Sequence, residues 1–360
     1  MRYSFLPTEE NVKVLGRTIM LDDCRLLCTS GSGVEFTYTG NRLTVTFYGD
    51  SSIEGEENII HWRDIARVLV FVDGRIMLDT TIKKTVERFV VYGEDSATPF
   101  DTHTVRIIKV SEPRMSSVGL GEIEIEAENQ PKPTAAKSKL VEFVGDSITC
   151  GYGVDTDDEL CLFSTCTENA SKAYAYLAAE QLNVDFSLVS YSGHGFISGY
   201  TPDPSVPKLE ELIQPYYDIV SYSYNNFRGL NPQDYKWEAD REPDVIVINI
   251  GTNDSSYVQG DEAKTASYEE SYVNFISDLR AIHPDAQIIC TLGVMGDELF
   301  PAVERAVNKA KNELGDSHIC ALHFTPQNPE IDGYAADYHP SPSTQRKAAA
   351  EMVEELKKWV

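Results

Sequence analysis

The sequence predicts two domains of different class: an all-β sandwich of jelly-roll type over residues 1–127, and a three-layer α/β/α domain with a parallel sheet of about five strands over residues 140–360. Three observations predict it. The first third alternates apolar and polar residues and contains no long amphipathic helix. From Leu140 onward, continuous apolar runs alternate with helix-like segments, as in a parallel sheet covered on both faces. Between the two lies EAENQPKPTAAKSK, which is polar, carries two prolines and has no period, so 128–139 is expected to be a linker.

The elements follow in order. In GVEFTYTGNRLTVTFYG, Val34, Phe36 and Tyr38 share one parity, and beyond Gly40-Asn41 so do Leu43, Val45 and Phe47. Gly-Asn between two such runs predicts a hairpin there. ARVLVFVDGRIML repeats the scheme around Asp73-Gly74, and ERFVVYG, HTVRIIKV and GEIEIEA add short strands. Many short strands at even spacing indicate a sandwich. In the second domain the predicted strands are KLVEFVG, VDFSLVS, DVIVINIG, AQIICTLG and HICALHF. The predicted helices are ASKAYAYLAAEQL, PSVPKLEELI, SYEESYVNFISDLRAI, DELFPAVERAVNKAKNEL and the closing PSTQRKAAAEMVEELKKWV. Right-handed crossovers between such strands make a three-layer domain.

The formal charge of −26 over 360 residues argues against nucleic acid or an anionic membrane surface as partner, while a neutral substrate meets no repulsion. No apolar run reaches the length of a membrane-spanning helix. MRYSFLPTEENVKVLG lacks an apolar h-region and a cleavage site, so no secretory signal is read and a cytoplasmic location is expected, or a secreted one if an export signal has been trimmed. Seven cysteines, an odd number, fit free thiols in a reducing compartment. None of their spacings pairs with histidines as a zinc framework would, and no metal is expected.

In an open α/β sheet, ligands bind beyond the carboxyl ends of the strands. Four polar clusters fall there: Gly145-Asp146-Ser147, YSGHG (191–195), Gly251-Thr252-Asn253-Asp254, and DYHPS (337–341) before the last helix. A serine needs a base to become a nucleophile, and His339 is the candidate. The tetrahedral oxyanion of ester hydrolysis needs preorganised donors. The main-chain N–H groups of Ser147 and Gly193 and the Asn253 amide are the candidates. His194 is a candidate pocket-lining residue, and Trp237 a candidate substrate-binding aromatic. Asp146 and Asp254 read as caps for helix or turn N–H groups. GYG at 151–153 lacks the third glycine of a dinucleotide fingerprint, and no Gly-x-Ser-x-Gly elbow surrounds Ser147.

GDSIT, the glycine of the second block, GTND and the late HP resemble the four blocks of the SGNH, or GDSL-type, hydrolases over residues 140–360. The resemblance implies Ser147 as nucleophile and first oxyanion donor, Gly193 and Asn253 as the other donors, and His339 as general base and then general acid, with no metal or organic cofactor. The order of a sandwich ahead of such a domain is similar to the second family of carbohydrate esterases, with GSGVEFTYTGNRLTVTF and VLVFVDG as the first-domain likeness. That implies a serine esterase acting on acetylated carbohydrate, removing acetyl groups from polysaccharides such as xylan and glucomannan. One position departs from the superfamily pattern. The usual acid lies three residues before the histidine, where this chain has Ala336, and the carboxylate is Asp337, two before. Asp337 is the expected orienting residue, with a main-chain carbonyl and a Ser–His dyad as the other possibility. A lipid or thioester hydrolase of the same superfamily, and a non-catalytic carbohydrate-binding protein, are the competing expectations.

Overall fold

The parity change in the long first-domain segment is a bulge, not a hairpin. In the computed structural model, which describes residues 1–54, 64–93 and 100–360, this segment is one strand of 17 residues. In chain order the first unit contains β1 (Arg2–Phe5), β2 (Lys13–Leu15), β3 (Thr18–Met20), β4 (Arg25–Leu27), β5 (Gly33–Gly49), β6 (Arg67–Val72), β7 (Arg75–Thr81), β8 (Glu87–Tyr92), β9 (Asp101–Lys109), β10 (Val118–Ala127) and β11 (Lys132–Pro133). Opposite β10, Arg42 pairs with Glu126 but Gly40 pairs with Ala127, so Asn41 is the extra residue. One inserted residue moves the buried set from even to odd positions, which keeps both halves of β5 facing one core. A Cβ on Gly40 would lie 2.0 Å from the Glu126 carbonyl oxygen, so glycine serves close backbone approach here rather than a turn.

The first half of β5 pairs with β9, and the second half pairs with β10 and β8. Val34, Phe36, Leu43, Val45 and Phe47 all belong to one buried cluster with Val68, Val70, Ile107 and Ile123. The strand order is β3-β4-β10-β5-β9-β6-β7, with β1 on β10 and with β2, β8 and β11 on β5. Asp73-Gly74 does form a hairpin, both residues having positive φ (52° and 75°) between antiparallel β6 and β7.

The chain separates into two compact units, and the boundary is not purely sequential. The first is Met1–Ala136 plus Ser164–Glu168 and Ile219–Trp237, and the second is the remainder. The expected linker therefore contributes β11 to the first unit, and two short segments of the expected α/β domain join it as well. Burial explains both additions. Val220 and Phe227 pack with Cys24, Leu26 and Cys28. The main-chain carbonyls of Cys166 and Glu168 accept from the Arg67 guanidinium at 3.0 and 3.1 Å.

The second unit has β12 (Leu140–Gly145), α1 (Ser147–Cys150), α2 (Tyr174–Leu182), β13 (Asp185–Ser190), β14 (Val245–Asn249), α3 (Thr252–Val258), α4 (Glu262–Ile282), β15 (Gln287–Leu292), α5 (Phe300–Leu314), β16 (Ile319–His323), α6 (Pro329–Asp332) and α7 (Pro342–Leu356). Its five strands are all parallel, in the order β13-β12-β14-β15-β16. β14 and β15 are buried along their full length, as continuous apolar runs require. The chain leaves β12 for one neighbour, β13, and returns to the other, β14, so the sheet's switch point lies at β12. PSVPKLEELI is not helical. Its backbone bonds run to the 195–199 loop, with Gly195 bridging Leu212 and Gly199 bridging Lys208. Pro207 removes a donor that a helix would need.

Candidate active site

β12 delivers Ser147 directly to the carboxyl edge of the sheet. Asp146 is extended (φ −111°, ψ −150°) and caps α1, its Oδ1 accepting from the Ile148 N–H at 3.0 Å. That cap serves Ile148 and leaves the Ser147 N–H, at the first helical position, without an intrahelical partner. His339 arrives just before α7, whose start is set by Ser341 as N-cap and Pro342. Its Nε2 lies 2.9 Å from the Ser147 Oγ, across 192 residues of sequence.

The other ring nitrogen faces carbonyls only. His339 Nδ1 is 3.0 Å from the Asp337 main-chain oxygen and 3.2 Å from that of Ala336. Carbonyls accept and never donate, so Nδ1 carries the proton and the Nε2 lone pair faces the serine hydroxyl. Burial pushes the imidazole down to about 4, against the pull of the two carbonyls and the Asp337 charge. His339 is therefore neutral at pH 7, as a base must be.

This arrangement corrects the expected role of Asp337. Its carboxylate makes no bond to His339 and instead accepts from the Tyr152 hydroxyl at 3.4 Å. The cause is a left-handed turn: Asp337 (φ 50°) and Tyr338 (φ 60°) both have positive φ. The turn swings the Asp337 side chain into solvent and its carbonyl toward Nδ1. The structure thus has the dyad geometry.

Asn253 ties three loops together from the first turn of α3. Its Nδ2 donates to the His194 carbonyl at 2.8 Å and to Asp146 Oδ2 at 3.3 Å. Both amide hydrogens are thereby directed at protein acceptors, the contact to Asp146 being the longer. Asp254 reinforces the same junction, accepting from the N–H groups of Phe196, Ile197 and Ser198. Burial pushes Asp146 up to about 7 despite the Ile148 N–H, with the Asp254 charge adding to the rise. Burial likewise pushes Asp254 up to about 6, against its three main-chain donors. Gly193 lies in the loop after β13 with φ 81°, and its N–H makes no hydrogen bond among the described residues.

Two expected substrate contacts have other surroundings. The His194 ring is 1% exposed and packs against the Tyr191 and Tyr216 rings, and its carbonyl accepts from Asn253. Trp237 belongs to the first unit, packs on the Cys24–Leu26–Phe227 cluster and carries the Arg17 guanidinium over its ring at 5.1 Å. Sequence reasoning missed Tyr152, whose ring stacks on His339 with centroids 3.8 Å apart and planes 14° apart. An aromatic residue five positions after Ser147, between two glycines, was the available signal. Gly153 matters for the same loop: with φ 59°, it would place a Cβ 2.3 Å from the Ala336 Cβ.

A separate cavity of about 690 Å³, lined by Thr252, Ser255, Gln259, Met295 and Leu299 among others, includes neither Ser147 nor His339. Among the described residues, no group of three or more His, Cys, Asp or Glu is placed to hold a metal ion, and no helix is long and apolar enough to cross a membrane.

Known proteins resemble the chain over nearly its whole length. Over 98% of its length the chain is 28% identical to the cellulase/esterase CelE of Acetivibrio thermocellus, while spanning 40% of that larger protein. It is 26% identical, over 99% of its own length and 90% of the relative's, to an acetylxylan esterase/glucomannan deacetylase of Cellvibrio japonicus. The solved acetyl xylan esterase Est2A from the rumen bacterium Butyrivibrio proteoclasticus shares the fold across both units, with a TM-score of 0.83 at 20% identity, covering 98% of this chain and 96% of that one. The family description "GDSL-like Lipase/Acylhydrolase" matches residues 143–347, more than half of the sequence and every loop that meets at Ser147, and the chain belongs to that family.

Proposed function

We propose that the chain is a serine esterase that removes O-acetyl groups from plant-type poly- or oligosaccharides such as xylan and glucomannan. The observation that carries the reading is the 2.9 Å contact between the Ser147 hydroxyl and a neutral His339 whose far nitrogen is held by carbonyls. His339 Nε2 takes the hydroxyl proton as Ser147 Oγ adds to the acetyl carbonyl. The N–H groups of Ser147 and Gly193 and the Asn253 amide receive the oxyanion, Asn253 giving up its longer bond to Asp146. The tetrahedral species collapses to acetyl-Ser147, and the imidazolium returns its proton to the departing sugar oxygen. Water, deprotonated by His339, then attacks the acetyl-enzyme and releases acetate. A neutral sugar acetate is compatible with the strongly negative chain, and the relatives' names point to acetylated glycans.

The test is acetate release from acetylated xylan, acetylated glucomannan and defined mono-acetyl sugars, beside acetyl and octanoyl chromogenic esters. Acetyl esters are expected to be preferred, and Ser147→Ala is expected to lose at least ~10³-fold in rate while remaining folded. Full activity in Ser147→Ala would remove the serine mechanism. Octanoyl esters turned over faster than acetyl esters would move the substrate to lipid or thioester.

A further inference from the structure

We infer that Tyr152 is the positioning residue of His339: its ring face and its hydroxyl together fix both the imidazole and the turn that holds it. The inference rests on the reading of Ser147 and His339 as nucleophile and base.

A histidine without a carboxylate partner has a problem of orientation. Two main-chain carbonyls define one edge of the ring, but a bond to Nδ1 alone lets the plane rock about that edge. The Tyr152 ring removes this freedom. It lies nearly parallel to the imidazole, at 14° and 3.8 Å, so rotation about χ2 would drive the imidazole into it. The hydroxyl end of the same side chain reaches the Asp337 carboxylate at 3.4 Å, and Asp337 is the residue whose carbonyl meets Nδ1. One tyrosine thus contacts the base from its face and, through Asp337, the turn that orients it.

Tyr152 is itself anchored to the nucleophile. Its N–H donates to the Ser147 carbonyl at 3.1 Å, closing the last turn of α1. The flanking Gly151 (φ 74°) and Gly153 (φ 59°) reverse the chain so that the ring folds back beside the serine. Phe163 supports the phenol at 4.9 Å between centroids. The motif that carries the nucleophile therefore also carries the wall against which the base is set. Among the described residues, the titratable groups that face His339 are Asp337 from its own loop and Tyr152 from the segment after α1, with the Ser147 hydroxyl at its Nε2.

The experiment compares wild type, Ser147→Ala, Tyr152→Phe and Tyr152→Leu on an acetyl chromogenic ester across pH, with the His339 ring resonances titrated by NMR. Tyr152→Leu is expected to lose about 10²-fold in kcat, the scale of a misplaced catalytic group, with KM changed by less than about twofold. Its acid limb in kcat/KM, and the NMR titration of His339, are expected to move up toward the ordinary imidazole value of about 6.5. Tyr152→Phe keeps the ring face and is expected to lose about threefold, the effect of one long hydrogen bond, with the titration unmoved. A purely structural tyrosine would change stability and leave both the titration and the kcat-to-KM split alone. Tyr152→Leu with kcat within about twofold of wild type, or a loss confined to KM, overturns the inference. If Tyr152→Leu does not fold, Tyr152→Phe is combined with Asp337→Ala: coupled losses support the hydroxyl–carboxylate contact, and additive ones overturn it. Absence of turnover in wild type would sink the esterase reading instead, and the NMR titration would still decide the role of Tyr152.

Discussion

Two histidines of the second unit each have a hydroxyl at Nε2, and only one of them is set up to act as a base. At the amino-terminal edge of the sheet, His283 Nε2 is 2.8 Å from the Tyr217 hydroxyl and its Nδ1 contacts the Glu242 carboxylate. At the carboxyl edge, His339 has Ser147 at 2.9 Å and only carbonyls behind it. By residue type, the first looks more like a hydrolytic triad. The hydrogens say otherwise. The Tyr217 O–H is directed to Glu142 at 2.6 Å, so His283 Nε2 faces an oxygen with no proton to give. Glu142 also accepts from Ser187 at 2.9 Å, so one buried carboxylate gathers both hydroxyls of the cluster. Beside Ser147 and His339, the Ser147 N–H has no intrahelical partner and the Gly193 N–H makes no hydrogen bond among the described residues. An acid behind the imidazole is therefore not sufficient for a base, and the base we propose has carbonyls in its place.

The contrast can be broken by substitution. At the carboxyl edge, Asn253→Ala is expected to lower kcat by roughly 10²–10³-fold, as loss of an oxyanion donor does, and a loss below a few-fold in an acetyl-ester assay would remove Asn253 from that role. The pH profile is the next test. A base pushed down to about 4 keeps kcat/KM flat through neutral pH and lets it fall about tenfold per unit only below that value. The same shift has a stability consequence. The unfolded imidazole, near ~6.5, binds its proton first on acidification, so this contribution is lost as the pH falls from about 6.5 to about 4. Asp146 has the opposite sign: raised to about 7 by burial, it disfavours the fold increasingly as the pH rises from ~4 toward 7. Urea melts of Asp146→Asn across that range are expected to show a shallower decline with pH than wild type.

Asp337→Asn is expected to stay within about fivefold of wild type, because asparagine keeps the main-chain carbonyl and tolerates the left-handed turn. A triad acid loses about 10⁴-fold on the same exchange, so a loss of that size would restore the carboxylate to the mechanism. Smallest of all, Tyr217→Phe is expected to leave turnover within about twofold and to lower stability by about 1–3 kcal/mol, because it strips a partner from buried Glu142. A large kinetic loss in that variant would mean that the two edges are coupled.

The site was legible where it depends on order and residue type. Ser147, Gly193, Asn253 and His339 each follow or precede an element whose periodicity is plain, so the topology of a parallel sheet places them on one edge. What escaped depends on dihedral angles and packing. Nothing in DYHP announces two successive positive φ values, so the Asp337 carboxylate and carbonyl exchange roles unseen. His194 and Trp237 were read by side-chain chemistry, but the His194 ring is buried against Tyr191 and Tyr216 and the half-buried Trp237 ring packs on a cluster far away in sequence. Gly40-Asn41 satisfies a hairpin rule and a bulge rule equally well, and only the partner strand decides between them. Gly251-Thr252-Asn253-Asp254 has turn chemistry, yet Thr252–Val258 is helix, because Asp254 spends its acceptors on the 196–198 loop and leaves the local backbone to coil.

The close approach of Gly153 and Ala336 shifts where this fold is fragile. With the proposed base aimed by the path of the chain, position 337 can change only among residues that accept the left-handed turn, and each of those supplies the same main-chain oxygen. Position 153 has no such latitude: one methyl group there would lift the loop and turn the imidazole away, without altering a single group that takes part in the chemistry.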